Sequence, residues 1–398
     1  MLPVYTTRIH GGAMPPTSST PTSENHDSVP WYVWCSVAAV TFAMVGVHWD
    51  ISWHRSIGRD TFWTPAHIAI HMCGVLAGIS CGYLVLSTTY SPRSLLRDCS
   101  VWIWGFRGPL GAFIAAWGGI AMLTSAPFDN WWHDTYGLDV KIISPPHMVL
   151  ALGLFAVHAG ALILILGQMN RASGALRERL QKLFLYVGGM ILVMLTVLQM
   201  EITARIFMHM AHFYYLVALV APPVLAGVAR ASRFKWAATT VASIYFMFVF
   251  LMGRILPLFP AEPKLGPVYH QVTQFTPPEF PLLLIIPALA LDLVWRRTAG
   301  WGTLRQALVS GVVFLGLFAA VQWPFASFLA SPAARNWFFG SKYFGYYVAA
   351  GSLSARFGFV GAEKGAAFWQ EAAFALVAAI CTSWLGLAWG NWMQRIRR

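Results

Sequence analysis

Long uncharged apolar runs recur along almost the whole of this 398-residue chain, and they constrain it more than any other feature. A backbone in hydrocarbon must satisfy its own hydrogen bonds, so only helices and closed barrels cross a bilayer. The runs are about twenty residues long, the length a helix needs to cross roughly 30 Å of hydrocarbon. A membrane barrel would show short alternating strands instead, and the sequence reads as having none. Composition agrees: 57% of residues are hydrophobic and 11% charged, against about 25% charged in a soluble domain. The expected fold is an all-α polytopic integral membrane bundle of about ten transmembrane helices. Their expected spans are 31–49, 65–90, 104–125, 146–168, 183–204, 211–229, 236–258, 280–296, 307–329 and 366–390. Residues 1–30, rich in Pro, Ser and Thr and without a signal-like apolar core, read as a disordered cytoplasmic tail. Residues 330–365, aromatic and Gly-rich, read as an interfacial loop or a short re-entrant helix.

The net charge of +12 does not point to nucleic acid, because the cations sit in short clusters between apolar runs. Arg93 and Arg97 follow the second run, and Arg171, Arg177, Arg179 and Lys182 the fourth. Arg230, Arg233 and Lys235 follow the sixth, Arg296, Arg297 and Arg305 the eighth, and Arg395, Arg397 and Arg398 end the chain. Each cluster falls at an even-numbered exit. By the positive-inside rule these loops and both termini are cytoplasmic, and the odd-numbered loops face outward across the cell (inner) membrane. The five cysteines form no C-x-x-C pair, so neither a disulfide framework nor a thiolate metal site is expected.

Two outward loops repeat one another. "DISWHRSIGRDTFWTPAH" (50–67) and "DNWWHDTYGLDVKIISPPH" (129–147) align Asp50 with Asp129, Trp53 with Trp132, His54 with His133, Gly58 with Gly137 and Asp60 with Asp139, an offset of 129 − 50 = 79. After one inserted residue, Pro65 aligns with Pro145 and His67 with His147, an offset of 147 − 67 = 80. Asp and His at i and i+4 share one helix face, a turn apart. A proline favours a helix start at 65 and at 145, which puts the second His in the first turn of the next helix. A tight helical hairpin then gathers one carboxylate and two imidazoles. That donor set suits a first-row transition metal and leaves coordination positions open. Asp50, His54 and His67 form one candidate metal and catalytic set, and Asp129, His133 and His147 the other. The competing reading is that these are interfacial polar residues at helix ends; their duplication, and the expense of ionisable groups at a membrane, favour metal. Asp60 and Asp139 are candidates to orient imidazole N–H groups, and Thr64 and Ser144 read as helix N-caps.

The segment 50–67 resembles the metal-site segment of the C subunit of copper membrane monooxygenases, the particulate methane and ammonia monooxygenases. That family carries Asp-x3-His-x12-His with Arg-Asp-Thr and Thr-Pro-x-His around it, matched here by Asp50, His54 and His67, by Arg59-Asp60-Thr61 and by Thr64-Pro65-Ala66-His67. Its second site, Asn-x3-His-x13-His, has the spacing of Asp129, His133 and His147, with Asp replacing Asn. The resemblance covers about residues 31–170, a four-helix region; residues 171–398 read as further transmembrane helices without a counterpart. It implies copper as cofactor and dioxygen activation, and it does not imply the substrate. The leading expectation is hydroxylation of a small apolar substrate from the bilayer, with electrons from quinol or partner subunits.

Other polar groups lie in or beside the apolar runs. Glu201, Arg205 and His209 recur every four residues and His212 follows, which reads as a buried salt bridge or as a proton relay. His71 follows His67 by one turn and His158 follows His147 by three, each expected to face the bundle interior; His48, Arg254, His270 and Glu279 are weaker candidates. Two other functions stay open. Membrane histidines could ligate b-type haem in a quinone-linked electron-transfer subunit, although haem needs no carboxylate. Ten helices could also carry a metal rather than use it.

Overall fold

Prolines set two of the helix starts that place the repeat. The structure, a computed structural model, describes residues 28–58, 63–137, 144–200, 203, 207–264, 272–334, 336–339 and 363–397. Helix α2 (Pro65–Tyr90) and helix α4 (Pro145–Arg171) begin on the expected prolines, where a missing N–H is no loss. Before them run α1 (Trp31–Ser56) and α3 (Leu110–Tyr136). Each of these is followed by a glycine at positive φ, Gly58 at 94° and Gly137 at 85°, a region a side chain enters only with strain. These glycines are repeat partners, so the sequence repeat is also a backbone repeat. α1 reaches Ser56 rather than ending near 49, which carries Asp50 and His54 on its last turns.

The chain continues through α5 (Gly174–Leu198), α6 (Ala211–Ser232), α7 (Ala237–Ile255), α8 (Ile285–Arg297), α9 (Thr303–Ala330) and α10 (Ala366–Met393). Among the described residues, nine helices are long and apolar enough to cross a membrane. The protein is an all-α, multi-pass membrane bundle. Residues 1–27 and most of 330–365 lie outside the described residues.

Two expected spans begin later than their apolar runs. The run from 104 opens as a β-hairpin, strand β1 (Val101–Ile103) against strand β2 (Phe106–Gly108). Its turn is Trp104-Gly105, both at positive φ (49° and 84°), the signature of a two-residue hairpin turn. The eighth run forms only the 13-residue α8, about 20 Å long and short of a bilayer's hydrocarbon. Pro277, Pro278 and Pro281 deny the segment before it the N–H groups of a helix. That segment is extended and largely buried, and side chains satisfy its backbone: Ser56 Oγ accepts from Thr276 N (2.7 Å), Tyr245 Oη from Leu282 N (3.1 Å) and Gln322 Oε1 from Leu283 N (3.0 Å). Non-helical backbone survives at membrane depth only where protein supplies such partners.

Helices α1 to α4 close into a ring, each touching the next and α4 returning to α1. Between membrane helices hydrophobic driving force is weak, and close packing of small residues takes over. A Cβ placed on Gly118 would stand 2.8 Å from Gly153 O, and one on Gly119 would stand 2.7 Å from Gly74 O. α3 is therefore pressed backbone-to-backbone against α4 on one side and α2 on the other. Met122 and Ile165 are fully buried within the bundle, while Ile79, Leu86 and Leu152 point outward, the inside-out pattern a bilayer permits.

The basic loops meet at one end. Asn170 Nδ2 donates to Met393 O (3.0 Å) and Ile396 O (2.7 Å), Arg171 to Arg397 O, and Gln181 Nε2 to Ser232 O (2.8 Å). The α1–α2 and α3–α4 turns lie at the other end, and both carry the repeated Asp and His residues.

Candidate metal centre

α1 delivers Asp50 and His54 from one face, and the first turn of α2 brings His67 against them. Both imidazoles approach the same carboxylate oxygen: His67 Nε2 is 3.0 Å and His54 Nε2 3.5 Å from Asp50 Oδ1. One ligand atom from each of the three residues lies within 4.8 Å of the other two. Donors bound about 2.0–2.1 Å from one ion stand roughly 3 Å apart, so the spacing fits a metal. Asp50 Oδ1 is shielded from solvent, and the two imidazole nitrogens are its close polar neighbours among the described residues. The rings of His54 and His67 are 6.1 Å apart and tilted by 53°, so they converge on the carboxylate without stacking.

The backbone frame of this set is firm. Thr64 is the N-cap of α2, its Oγ1 accepting from His67 N at 3.1 Å, as expected. At the end of α1, Ser52 donates to Thr276 O and Ser56 accepts from Thr276 N. Trp53 packs on Phe275 with ring centres 5.7 Å apart, and Lys264 N donates to Ile57 O at 2.9 Å. The buried extended segment before α8 thus braces the turn that holds Asp50 and His54.

The second set gathers around Asp129 more loosely. His133 Nε2 lies 3.4 Å from Oδ2, whereas His147 Nε2 lies 3.7 Å from Oδ1. The imidazoles straddle the carboxylate instead of sharing one oxygen. Asp129 Oδ1 is again buried, without a hydrogen bond among the described residues. The outer nitrogens have partners: His133 Nδ1 faces Gly137 O at 3.3 Å and His147 Nδ1 faces Ser144 Oγ at 2.9 Å. Ser144 therefore corrects its expected role: its hydroxyl engages the ring of His147 and makes no side-chain cap bond. Around α3's end, Trp131 and Tyr136 are exposed; α3 packs chiefly on α2 and α4.

Between the hairpins lies a cavity of about 590 Å³ walled by α2 and α3. Ile68, Met72, Val75, Leu123 and Pro127 make its apolar surface, and His67, His71 and Asn130 supply polar groups. His71 stands in the same wall as His67, one turn further along α2. The cavity was not legible from sequence, since its walls come from separate hairpins; the placement of His71 one turn after His67 was the available signal.

The remaining polar candidates have local partners. His48 Nδ1 and His158 Nδ1 each bond the carbonyl four residues back, Met44 O and Leu154 O, at 2.8 Å. His209 Nε2 meets Trp323 O (3.2 Å) and Ser327 Oγ (2.9 Å), a brace onto α9. Arg254 donates to Trp337 O and Phe338 O. Asp60, Asp139, Glu201, Arg205 and His270 lie outside the described residues. All five cysteines are free thiols. Comparison of this chain with models of known families, with curated proteins and with solved structures finds no match.

Proposed function

We propose that this protein is a copper-dependent membrane monooxygenase that hydroxylates a small apolar substrate reaching it through the bilayer. The observation that carries the reading is an apolar cavity with His67 in its wall, next to a convergent Asp50, His54 and His67 set. Those three residues would hold copper, and Asp129, His133 and His147 would hold a second ion. Bound copper supplies a redox couple suited to dioxygen chemistry. The balanced reaction is R–H + O₂ + two electrons + two protons giving R–OH + H₂O, and a quinol or a partner subunit would furnish the electrons and protons. The chain's own work is to hold and orient. Ile68, Met72 and Val75 exclude water and favour an apolar guest. The carboxylates anchor the cation and balance its charge. By the positive-inside rule, the metal end faces the periplasm and both termini face the cytoplasm.

Quinol-dependent oxygen uptake by the purified full-length protein, with propane as probe, tests this directly. The expected result is uptake that depends on copper and falls by about tenfold or more in Val75→Phe, which fills the cavity without touching a ligand. Copper binding with no quinol-dependent uptake would favour a carrier, and a haem absorption band with no copper would favour an electron-transfer subunit. Either result overturns the proposal.

A further inference from the structure

At the basic end, remote from the two triads, lies a second cavity of about 470 Å³ between α6, α8, α10 and the loop that follows α6. Arg230, Arg233, Lys235 and Arg296 line it, with Asp292 as the one carboxylate. Asp292 is committed elsewhere: its oxygens accept from Ala238 N (3.2 Å), Thr239 N (2.9 Å) and Thr239 Oγ1 (2.7 Å) at the start of α7. Four cations therefore face the space against one carboxylate already used as a helix cap.

The guanidinium groups are positioned as well as charged. Arg296 lies 3.4 Å over the ring of Trp236 and donates to Lys235 O at 2.7 Å. Arg230 is held by Gln306 and Arg233 by Gln394 Oε1, the latter at 2.9 Å. Yet Arg230 Nε and Arg296 Nε are buried and have no hydrogen-bond partner among the described residues. A buried guanidinium N–H without an acceptor is unfavourable, and a phosphate oxygen is the acceptor its fork matches best. The positive-inside rule explains why cations collect at this end. It does not explain why Arg230, Arg233, Lys235 and Arg296 all line one cavity.

We propose that this cavity binds the phosphodiester headgroup of an anionic phospholipid. The shared chemistry is a phosphate oxygen, which free phosphate also offers. A lipid is favoured by the surroundings: Trp295 lines the cavity, and Leu289, Leu293 and Phe234 are exposed beside it. Aromatic rings belong at headgroup depth, and exposed leucines on α8 suit acyl chains. Basic pockets between membrane helices on the cytoplasmic side bind such headgroups.

The test is the thermal shift of the delipidated full-length protein in neutral detergent on titration with phosphatidylglycerol, phosphatidylcholine or inorganic phosphate. Phosphatidylglycerol should stabilise, with a midpoint about tenfold or more higher in R230Q/R296Q. Phosphatidylcholine should not stabilise, and R305Q, outside the cavity, should behave as wild type. If R230Q/R296Q does not fold, R233Q/K235Q at the exposed rim should weaken the same shift several-fold. Equal stabilisation by phosphatidylcholine, or an unchanged midpoint in the foldable cavity variants, would overturn the site. A full shift from inorganic phosphate alone would overturn the lipid assignment. Neither readout involves copper or oxygen, so this proposal fails or stands apart from the oxygenase reading.

Discussion

The two repeated hairpins share their motif, their proline starts and their positive-φ glycines, yet they gather their donors differently. In the first, both imidazoles stand on Asp50 Oδ1 at 3.0 and 3.5 Å; in the second, they divide between the two oxygens of Asp129 at 3.4 and 3.7 Å. The difference follows packing rather than motif. The end of α1 is braced from outside its hairpin by Thr276, Phe275 and Lys264. The end of α3 carries a cluster of its own aromatic rings, with Trp131 and Tyr136 exposed. A copied motif supplies the carboxylate and imidazoles, and the tertiary setting decides how closely they converge. It also gives residues 171–398 one definite task, since the brace is drawn from them.

The largest test of that contrast removes the brace. Replacing Ser52 and Ser56 by Ala strips both side-chain bonds from Thr276 and leaves buried backbone groups unsatisfied, at about 1–3 kcal/mol each. Thermal stability should fall, and copper affinity at the first set should drop by about tenfold, with the second set unchanged. Equal loss at both sets, read by site-resolved electron paramagnetic resonance, would break the comparison.

A smaller effect is expected from Asp129→Asn, which keeps the shape and removes the charge. Divalent occupancy of the second set should weaken several-fold while the first set stays filled. Unchanged divalent occupancy would make Asp129 an interfacial bystander.

The smallest and sharpest comparison sets Ser144→Ala against Thr64→Ala. Losing the hydroxyl that orients His147 should weaken metal at the second set by about tenfold with little change in melting. Losing the Thr64 cap should do the reverse, removing about 1 kcal/mol of stability with metal affinity nearly unchanged. Identical behaviour of the two variants would mean that both hydroxyls are simple caps.

The sequence made the hairpins legible because their determinants are local. Pro65 and Pro145 mark helix starts, Gly58 and Gly137 mark the turns, and the four-residue spacing puts Asp and His on one face. The bundle was legible because hydrocarbon allows few alternatives. What could not be read were features whose partners are distant in sequence. Thr64 and Ser144 occupy equivalent positions and read alike, but only the position of the His147 ring diverts the serine from capping. The extended segment before α8 is as apolar as a helix, and hydropathy alone hides it; its prolines were the signal. The Trp104-Gly105 turn was similarly hidden by the aromatic run around it. The brace on α1 has no local signature, and the cavity between α2 and α3 has only His71, one turn after His67.

The central claim is that Asp50, His54 and His67 form the tighter of two metal sites on one frame. The most direct measurement is copper bound per chain during titration of the full-length protein, compared across wild type, Asp50→Ala and Asp129→Ala. Wild type should fill in two steps, Asp50→Ala should lose the tight step alone and Asp129→Ala the weak one. All three proteins should remain inserted in the membrane, because apolar packing and not the ion holds the helices together. Copper binding unchanged by Asp50→Ala, in protein that inserts normally, would contradict it.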